Sequence, residues 1–242
     1  MTMSSSSLSA PLSNPSPAAG SAGAPVLELE GLYHRWKGPK PPVLDDVSLT
    51  LRAGEVTWIG GRNGVGKTTL LRLAAGILLP QRGSVRLGEL TPQSHGGTYR
   101  REIGFLSAGD RSLQARMTVT QQLDYWGRLA YVPRERRAGM VADSLKRFGL
   151  EEFATRRVDR MSMGQRQRIR LAMAFLHEPR ALLLDEPRNS LDDEGYQLLN
   201  EQIQQAAGRA ATILWCSPRG EDRVIECDAS YTLLEGHLER VQ

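Results

Sequence analysis

A glycine-rich segment of the chain has the residue types and spacing of a phosphate-binding loop. Residues 61–68 read Gly-Arg-Asn-Gly-Val-Gly-Lys-Thr and match the P-loop pattern GxxxxGK[ST]. In such a loop backbone N–H groups surround the phosphates, the lysine (Lys67) contacts the β- and γ-phosphates, and the final hydroxyl (Thr68) ligates Mg²⁺. The pattern predicts binding of ATP or GTP with Mg²⁺. The candidate nucleotide-binding residues are Gly61, Arg62, Asn63, Gly64, Val65, Gly66, Lys67, Thr68 and Thr69.

Two carboxylates that end an apolar run are candidates for the other half of a phosphate site. Residues 181–184 read Ala-Leu-Leu-Leu, a strand-sized run, and Asp185 and Glu186 follow. Beside a P-loop, Asp185 is placed to hold Mg²⁺ together with Thr68, and Glu186 to orient or deprotonate an attacking water. Alone, an apolar run that ends in Asp-Glu is common at protein surfaces. Together with the P-loop it predicts nucleotide hydrolysis, with Glu186 as the catalytic base.

A third motif lies between these two. Residues 161–165 read Met-Ser-Met-Gly-Gln and lead into an arginine-rich helical pattern, with Ser162 where a helix N-cap is expected. This segment resembles the Leu-Ser-Gly-Gly-Gln signature of ABC ATPases. The P-loop, the signature and the Asp185-Glu186 pair, in this order, resemble the ATP-binding cassette of ABC transporters. The resemblance covers roughly residues 26–240.

The resemblance implies a fold, a second subunit and further site residues. The implied fold is an α/β P-loop NTPase core with an N-terminal antiparallel β layer and an α-helical subdomain at about residues 109–165. In this family two cassettes pack head to tail, and the signature of one contacts the γ-phosphate held by the other. Residues 189–192 resemble the D-loop that crosses this interface, with Asp192 as its contact. The implied trans contacts are Ser162, Met163, Gly164 and Gln165.

Trp36 stands where the family places an aromatic side chain that stacks on adenine. Stacking of a base on an aromatic ring contributes roughly 1 to 3 kcal/mol. Tyr33 lies close by in the sequence, and a lone tryptophan is also common in protein cores, so both readings stay open at this point.

Two positions depart from the family's pattern. A Q-loop glutamine is expected just after residues 103–106, but Ala108 and Gly109 stand there, and Gln114 comes several residues later. A switch histidine is expected after residues 213–216, but the next residues are Ser, Pro and Arg. None of these three offers an imidazole to hydrogen-bond a γ-phosphate. The departures predict slow hydrolysis at this subunit's own site, with a sister subunit supplying a complete site in a heterodimer.

The composition indicates what kind of chain positions these motifs. Of its 242 residues 40% are hydrophobic and 24% charged, which is typical of a folded domain. The length fits one ABC ATP-binding domain, residues 26–242, after a flexible Ser-, Ala- and Pro-rich tail, residues 1–25, without the features of a secretory signal. No apolar run reaches the roughly 18 residues of a spanning helix. Despite the net charge of +4, the basic clusters at 134–137, 156–160 and 166–170 are predicted to be solvated helix faces, and no nucleic-acid partner is expected.

Hydrophobic patterns predict strands before the P-loop and alternating strands and helices after it. The predicted strands are residues 26–30, 43–51, 55–59, 84–87, 103–106, 181–184 and 211–215, with a terminal hairpin around 235–236. The predicted helices are residues 69–79, 164–176 and 195–207, with a helical insert from 118 to about 160. A polar loop that contains Gly96 and Gly97 is predicted between the fourth and fifth strands.

These features predict the ATP-binding and ATP-hydrolysing subunit of an ABC transporter. The expected partners are a second cassette and a membrane permease docked near residues 109–160, which would place the chain peripherally at the cytoplasmic face of the cell membrane. Residues 110–112, Asp-Arg-Ser, resemble a variant of ABC-2-type export cassettes and, with the short C-terminal end, favour export. The alternatives are a regulatory subunit that binds ATP with little turnover, and a non-transport ABC ATPase acting on DNA or ribosomes. A small-molecule P-loop kinase would leave residues 161–165 unexplained.

Overall fold

The computed structural model describes residues 25–38, 41–109, 112–218 and 226–241, so nearly all of the predicted tail lies outside the described residues. Within them the strands are β1 (Pro25–His34), β2 (Leu44–Arg52), β3 (Val56–Gly60), β4 (Arg82–Leu87), β5 (Ile103–Leu106), β6 (Ala181–Asp185), β7 (Thr212–Ser217), β8 (Ala229–Leu234) and β9 (His237–Arg240). The α-helices are α1 (Lys67–Ala74), α2 (Pro92–Arg101), α3 (Val119–Leu129), α4 (Arg134–Arg147), α5 (Met163–Phe175) and α6 (Asp193–Gly208). Short 3₁₀ helices occur at Glu151–Phe153 and Val158–Arg160.

The first sheet is antiparallel and has the strand order β2-β1-β4. Its residue pattern shows why it forms, since the apolar side chains of β2 alternate with polar ones and are buried on one face. They are Leu44, Val47, Leu49 and Leu51. An alternation of period two is what a sheet with one solvated face requires. This sheet is the predicted N-terminal β layer.

The second sheet carries the strands that lead into the predicted motifs, in the order β5-β6-β7-β3-β8-β9. β5, β6, β7, β3 and β8 are parallel, and β9 adds an antiparallel edge that forms the predicted terminal hairpin with β8. Every residue of β6 and β7 is buried, as expected for strands covered on both faces. Because parallel strands share an edge at their carboxyl ends, the segments after β3, β5, β6 and β7 all begin along one line.

Two hydrophobic cores lie on opposite faces of the second sheet. One core joins the first sheet and α1 to the face that bears Ile59, Leu183 and Leu214. The other packs α3 to α6 against the face that bears Leu184 and Trp215. Neighbouring residues of one strand therefore contribute to different cores, which is the alternation a strand imposes on its side chains. The α/β class predicted from the motifs is confirmed.

The helix after the glycine-rich segment is shorter than predicted and starts earlier, at Lys67–Ala74 instead of 69–79. Gly76 has a φ of 63° and donates its N–H to the Leu73 carbonyl, and Ile77 donates to the Arg72 carbonyl. A glycine in the left-handed conformation ends a helix in this way because it satisfies the last free carbonyls. The apolar residues beyond it were wrongly assigned to the helix.

The predicted polar loop around Gly96 and Gly97 is wrong, because this segment forms α2. Pro92 occupies its first turn, and the Thr91 hydroxyl accepts a hydrogen bond from the Ser94 N–H. The two glycines are poor helix formers, but Tyr99 is fully buried and donates its hydroxyl to the Ala74 carbonyl at 2.5 Å. Tertiary packing therefore outweighs local propensity here.

The helical insert predicted from 118 to about 160 consists of α3, α4 and the two 3₁₀ helices. α3 begins with a capping box in which the Thr118 hydroxyl and the Gln121 side chain each accept the other residue's backbone N–H. One basic cluster departs from the prediction of solvated faces: Arg170 is buried, at 6% exposure. The remaining predicted strands and helices are present with small shifts of their ends.

Candidate functional site

The glycine-rich loop connects β3 to α1, as its pattern predicts. Gly64 and Gly66 have φ values of 80° and 122°, which residues with side chains rarely adopt. A Cβ on Gly66 would lie 2.7 Å from the Val43 carbonyl oxygen, so the loop also needs glycine for close packing. α1 begins without a side-chain cap. Its first N–H groups are therefore available to an anion at the positive end of the helix dipole.

Lys67 lies across this loop instead of extending into solvent. Its ammonium group is buried and donates hydrogen bonds to the carbonyl oxygens of Gly61 at 2.6 Å and Arg62 at 3.1 Å. Val65 packs into the core below the loop. Gly61, Arg62 and Val65 therefore shape the loop but do not line its cleft.

Thr68 and Asp185 meet although they are 117 residues apart, with the Thr68 hydroxyl donating to Asp185 Oδ2 at 2.7 Å. Asp185 ends β6 and is 2% exposed. Burial raises the pKa of Asp185, and the charge of Glu186 raises it further, against the hydrogen bonds from Thr68 and the Ala108 N–H. The structure thus brings the two predicted Mg²⁺ ligands together beside the P-loop. A cation there would favour the charged carboxylate.

Glu186 follows in an unusual backbone conformation, with a φ of 50°. Its N–H donates to the Cys216 carbonyl at the end of β7 at 2.8 Å. Its side chain borders the same cleft as Lys67 and Thr68, and Asn189 donates an amide hydrogen to Glu186 Oε2 at 2.7 Å. The carboxylate predicted to act as a base is therefore held by contacts on both its backbone and its side chain.

These residues border a cleft of about 570 Å³. The P-loop side is formed by Asn63, Gly64, Gly66, Lys67, Thr68 and Thr69. The other residues that border the cleft are Trp36, Lys37, Gly38, Val43 and Glu186. Trp36 is 48% exposed and contacts the buried ring of His34 edge-on, with ring centroids 4.7 Å apart. Trp36 is thus a cleft residue instead of a core residue; its three neighbours were missed because single lysine, glycine and valine residues carry no motif.

The signature segment begins α5, with Ser162 as its N-cap. The Ser162 hydroxyl accepts the Gln165 N–H, and the Gln165 side chain accepts the Ser162 N–H, which is a capping box. Met163 is 66% exposed. A Cβ on Gly164 would lie 2.9 Å from the Ser190 carbonyl oxygen, so glycine lets residues 189–192 pack against the start of the helix. None of the four signature residues borders the P-loop cleft of the same chain.

Asp192, the predicted D-loop contact, is engaged within its own chain. Its carboxylate caps α6 by accepting the Gly195 N–H at 2.8 Å and pairs with Arg168 on α5 at 2.9 Å. Both contacts lower the pKa of Asp192, the Arg168 hydrogen bond most strongly. This pair ties the D-loop segment to the signature helix.

The two positions that depart from the family's pattern lie at the same sheet edge. Ala108 follows β5 and uses its N–H on Asp185, while Gln114 is exposed and does not border the cleft. At the end of β7 the Ser217 hydroxyl accepts the indole N–H of Trp58 at 2.8 Å, and Pro218 follows. Residues 110, 111 and 219, which belong to the predicted export variant and switch segment, lie outside the described residues.

A buried polar link that joins two loops through α5 was missed by sequence reasoning. Gln167 donates its amide to the Pro187 carbonyl at 2.8 Å, and Arg170 donates to Gln167 Oε1 and to the Ser107 carbonyl. The link runs from the segment after Glu186, through α5, to the segment after β5. No local signal marks it, because the two side chains look like ordinary polar positions of an arginine-rich helix.

The arrangement defines a P-loop nucleotide-binding protein: a glycine loop between strand and helix, facing carboxylates at the end of a neighbouring parallel strand. Within the described residues no helix is both long enough and apolar enough to cross a membrane.

Comparisons with known proteins specify the class further. The family model described as ABC transporter matches residues 44–189, and the chain belongs to this family as an ATP-binding cassette. It is 36% identical over 193 residues to the ABC transporter ATP-binding protein NatA of Bacillus subtilis, covering 80% of this chain and 78% of that protein.

Solved structures with the same fold include the ATP-binding subunit of an ABC transporter, with a TM-score of 0.81, 24% identity and 88% of each chain covered. A second is the cassette MJ0796 in a dimeric post-hydrolysis state bound to ADP and Pi, with a TM-score of 0.78 and 23% identity over 88% of this chain and 97% of that one. At these identities the likeness establishes the ABC ATPase fold.

Proposed function

We propose that the chain binds and hydrolyses ATP as the motor subunit of an ABC transporter and drives a separate membrane permease. The observation that carries the proposal is the Thr68–Asp185 hydrogen bond, which joins the P-loop to the strand end that bears Glu186. A phosphate-binding loop and a candidate base thereby border one cleft. Family membership supports ATP as the nucleotide.

The residues predicted to bind the nucleotide and Mg²⁺ each have a role in this proposal. Trp36 stacks on adenine, while the N–H groups of residues 61–69 and the Lys67 ammonium hold the phosphates. Thr68 and Asp185 hold Mg²⁺, and their oxygens are the hard donors that this cation prefers. Bound there, Mg²⁺ neutralises phosphate charge.

Glu186 is the proposed catalytic base. Because Asn189 occupies Oε2, we assign Oε1 to accept the proton of the attacking water. The hydrogen bond from the Glu186 N–H to Cys216 fixes the backbone from which this carboxylate extends. The base thus needs no large rearrangement to act.

We further propose that turnover is slow. Ala108 and Gly109 carry no side-chain amide, and Ser217 and Pro218 carry no imidazole. Two polar groups that this family brings to the γ-phosphate are therefore missing from the chain's own site. The same observation favours a second candidate function, a regulatory cassette that retains ATP with little hydrolysis.

A second cassette is the proposed partner that completes the site. Ser162 and Met163 are exposed at the start of α5, where the helix dipole favours an anion, and they do not border their own cleft. We propose that Ser162, Met163, Gly164 and Gln165 contact the γ-phosphate held by the partner, with Asp192 nearby. The dimeric state of MJ0796 supports this arrangement.

The proposed permease docks near residues 109–160, where α3 and the neighbouring α2 border a groove of about 280 Å³. Its walls include Arg100, Arg101, Trp126, Leu129 and Tyr131. Such docking would hold the chain peripherally at the cytoplasmic face of the cell membrane. We propose export as the direction, on the resemblance of residues 110–112 to ABC-2-type export cassettes.

Steady-state hydrolysis of Mg-ATP, measured beside ATP binding, tests the proposal. Lys67→Ala is expected to weaken binding by about tenfold or more, because each charge-assisted hydrogen bond contributes roughly 1.5 to 3 kcal/mol. Lys146→Ala, an exposed lysine on α4, is the control and is expected to change neither quantity. Equal binding by the two variants would contradict the assigned site.

The hydrolysis rate then separates the two candidate functions. Measurable turnover supports a motor, whereas tight binding without turnover supports a regulatory cassette. A non-transport role is tested by purifying the chain from membranes and from lysate: recovery with a permease supports the proposal, and recovery with ribosomes or DNA contradicts it.

A further inference from the structure

The indole of Trp58 occupies space that the side chain of residue 60 would need. Trp58 and Gly60 lie on the same face of β3, two residues apart. A Cβ on Gly60 would lie 2.1 Å from Cη2 and 2.6 Å from Cζ2 of Trp58. The ring therefore leans toward the carboxyl end of β3, where the P-loop begins.

At that end the indole binds the neighbouring strand. The strand register places Gly60 opposite Ser217, the last residue of β7, and Trp58 Nε1 donates to Ser217 Oγ at 2.8 Å. Ser217 is 4% exposed, so its hydroxyl has little access to water as an alternative partner. An indole N–H acts only as a donor, which fixes the direction of this bond.

The residue before Ser217 holds the proposed base. Cys216 accepts the N–H of Glu186, and the register pairs Cys216 with Asp185. Glu186 has a positive φ, a conformation that persists only when its surroundings fix it. The Trp58–Ser217 bond is therefore one residue away from the contact that fixes Glu186.

We propose that Trp58 and Ser217 form a positioning pair that holds the end of β7 and, through the Cys216 carbonyl, the backbone of Glu186. The pair joins the strand that enters the P-loop to the strand end beside the base. It occupies the position at which this family's pattern would place the switch segment. The benefit to hydrolysis rests on the proposed function, whereas the positioning of Glu186 does not.

Amide hydrogen exchange of Glu186, followed by NMR on the full chain, tests the positioning. Ser217→Ala and Trp58→Phe each remove one partner of the bond and are expected to speed this exchange about tenfold, the effect of one lost hydrogen bond. Thr212→Val is the matched control: it removes a buried hydroxyl at the opposite end of β7, where Thr212 donates to the Glu55 carbonyl at 3.3 Å. Ser217→Thr, which keeps a hydroxyl, is expected to retain slow exchange.

The double variant shows whether the two residues act through one bond. In the double variant Trp58→Phe with Ser217→Ala, the Glu186 amide is expected to exchange no faster than in either single variant. Two outcomes would contradict a positioning pair. One is additive effects of the two changes on the exchange rate of the Glu186 amide, and the other is an exchange rate in Ser217→Ala equal to that in Thr212→Val. Gly60→Ala, which displaces the indole, is expected to match Trp58→Phe.

Kinetics then test what the pair does for the reaction. We expect Ser217→Ala to lower kcat several-fold and to leave the KM for ATP unchanged, because the P-loop contacts are intact. An unchanged kcat alongside faster Glu186 exchange would overturn the catalytic benefit. If the unmodified chain hydrolyses no ATP, the proposed function as a motor fails, and the exchange rates still decide the positioning.

Discussion

The P-loop side and the signature side of the molecule hold their polar groups in opposite ways. Lys67 and Asp185 are buried, and their partners are other parts of the site, up to 117 residues away. Ser162 and Met163 are exposed, and the hydrogen bonds of Ser162 stay within the first turn of its own helix. The first side is assembled by the fold, and the second is a local helix start.

This difference indicates how firmly each side holds its binding groups in place before a ligand arrives. Buried charges keep their positions because any displacement leaves them without partners, at a cost of roughly 1 to 3 kcal/mol per group. Exposed N-cap residues have water as an alternative partner and can change contacts at little cost. The P-loop side is thus preformed, while the signature side is suited to meet a ligand delivered by another subunit.

Glu186→Gln gives the largest expected effect and tests the preformed side. The change keeps the size of the side chain and removes its basicity, so turnover is expected to fall by roughly 10² to 10⁴ while ATP binding remains. The measurements are phosphate release and equilibrium binding. Glu201→Gln on the exposed surface of α6 is the control. Turnover above about a tenth of normal would place the base elsewhere.

Trp36→Ala tests whether the P-loop side also includes the residue that stacks on adenine. Loss of stacking worth roughly 1 to 3 kcal/mol is expected to weaken ATP binding about 5- to 150-fold. Trp36→Phe keeps a stacking ring and is expected to retain most of the affinity. Binding is measured by calorimetry, and tripolyphosphate, which has no adenine, is the control ligand. An equal loss for tripolyphosphate would show that Trp36 supports the phosphate loop instead of adenine.

Ser162 variants separate the local role of the signature side from its role in trans. Ser162→Asp keeps a good N-cap but adds negative charge, so ATP-dependent dimerisation is expected to weaken by roughly tenfold or more with little change in Tm. Ser162→Ala loses the cap, about 1 kcal/mol, and is expected to lower Tm by about 2 to 4 °C. Sedimentation in the Glu186→Gln background measures the dimer. Normal dimerisation of Ser162→Asp would remove Ser162 from the interface.

The smallest expected effects come from one carboxylate on each side. The pKa of Asp185 is raised above its usual 3.8, chiefly by burial, so the folded chain binds this proton more tightly than the unfolded chain. Stability without nucleotide therefore rises as pH falls through the raised pKa toward 3.8. Asp185→Asn is expected to raise Tm of the nucleotide-free chain by a few degrees at neutral pH, because it removes a buried charge.

The pKa of Asp192 is shifted in the opposite direction to that of Asp185, so Asp192 serves as the matched comparison. Arg168 and the Gly195 N–H lower its pKa, so its contribution to stability is present above the unfolded pKa and is lost as pH falls through the folded one. Asp192→Asn is expected to lower Tm slightly at neutral pH, since the Asp192 carboxylate is largely exposed. Melting curves of both variants between about pH 2.5 and about 7 cover both pKa windows and measure the two signs. Shifts of the same sign would contradict the comparison.

The motifs could be predicted because their function resides in a few neighbouring residues. The P-loop needs only its glycines, Lys67 and Thr68 between a strand and a helix, and the structure places it there. The capping box of Ser162 and Gln165 spans four positions of one helix start. The strands were recognisable for a similar reason, because burial on one or both faces leaves a short repeating pattern.

The elements that were missed depend on contacts with distant residues. α2 forms through Gly96 and Gly97 because Tyr99 is anchored in the core beside α1. Arg170 is buried because its hydrogen bonds are accepted by Gln167 on the same helix and by the Ser107 carbonyl of a distant segment. Neither effect leaves a mark within the segment itself.

The sequence by itself determined the class of fold, the motifs and the candidate residues for phosphate binding, since these follow from local conformation and side-chain chemistry. Only the tertiary structure decided that Thr68 meets Asp185, that Glu186 adopts a positive φ against Cys216, and that the Trp58 indole covers Gly60 to reach Ser217. These arrangements depend on strand register and on the burial of polar groups. Both are properties of the packed chain, because they arise only when segments far apart in the sequence come into contact.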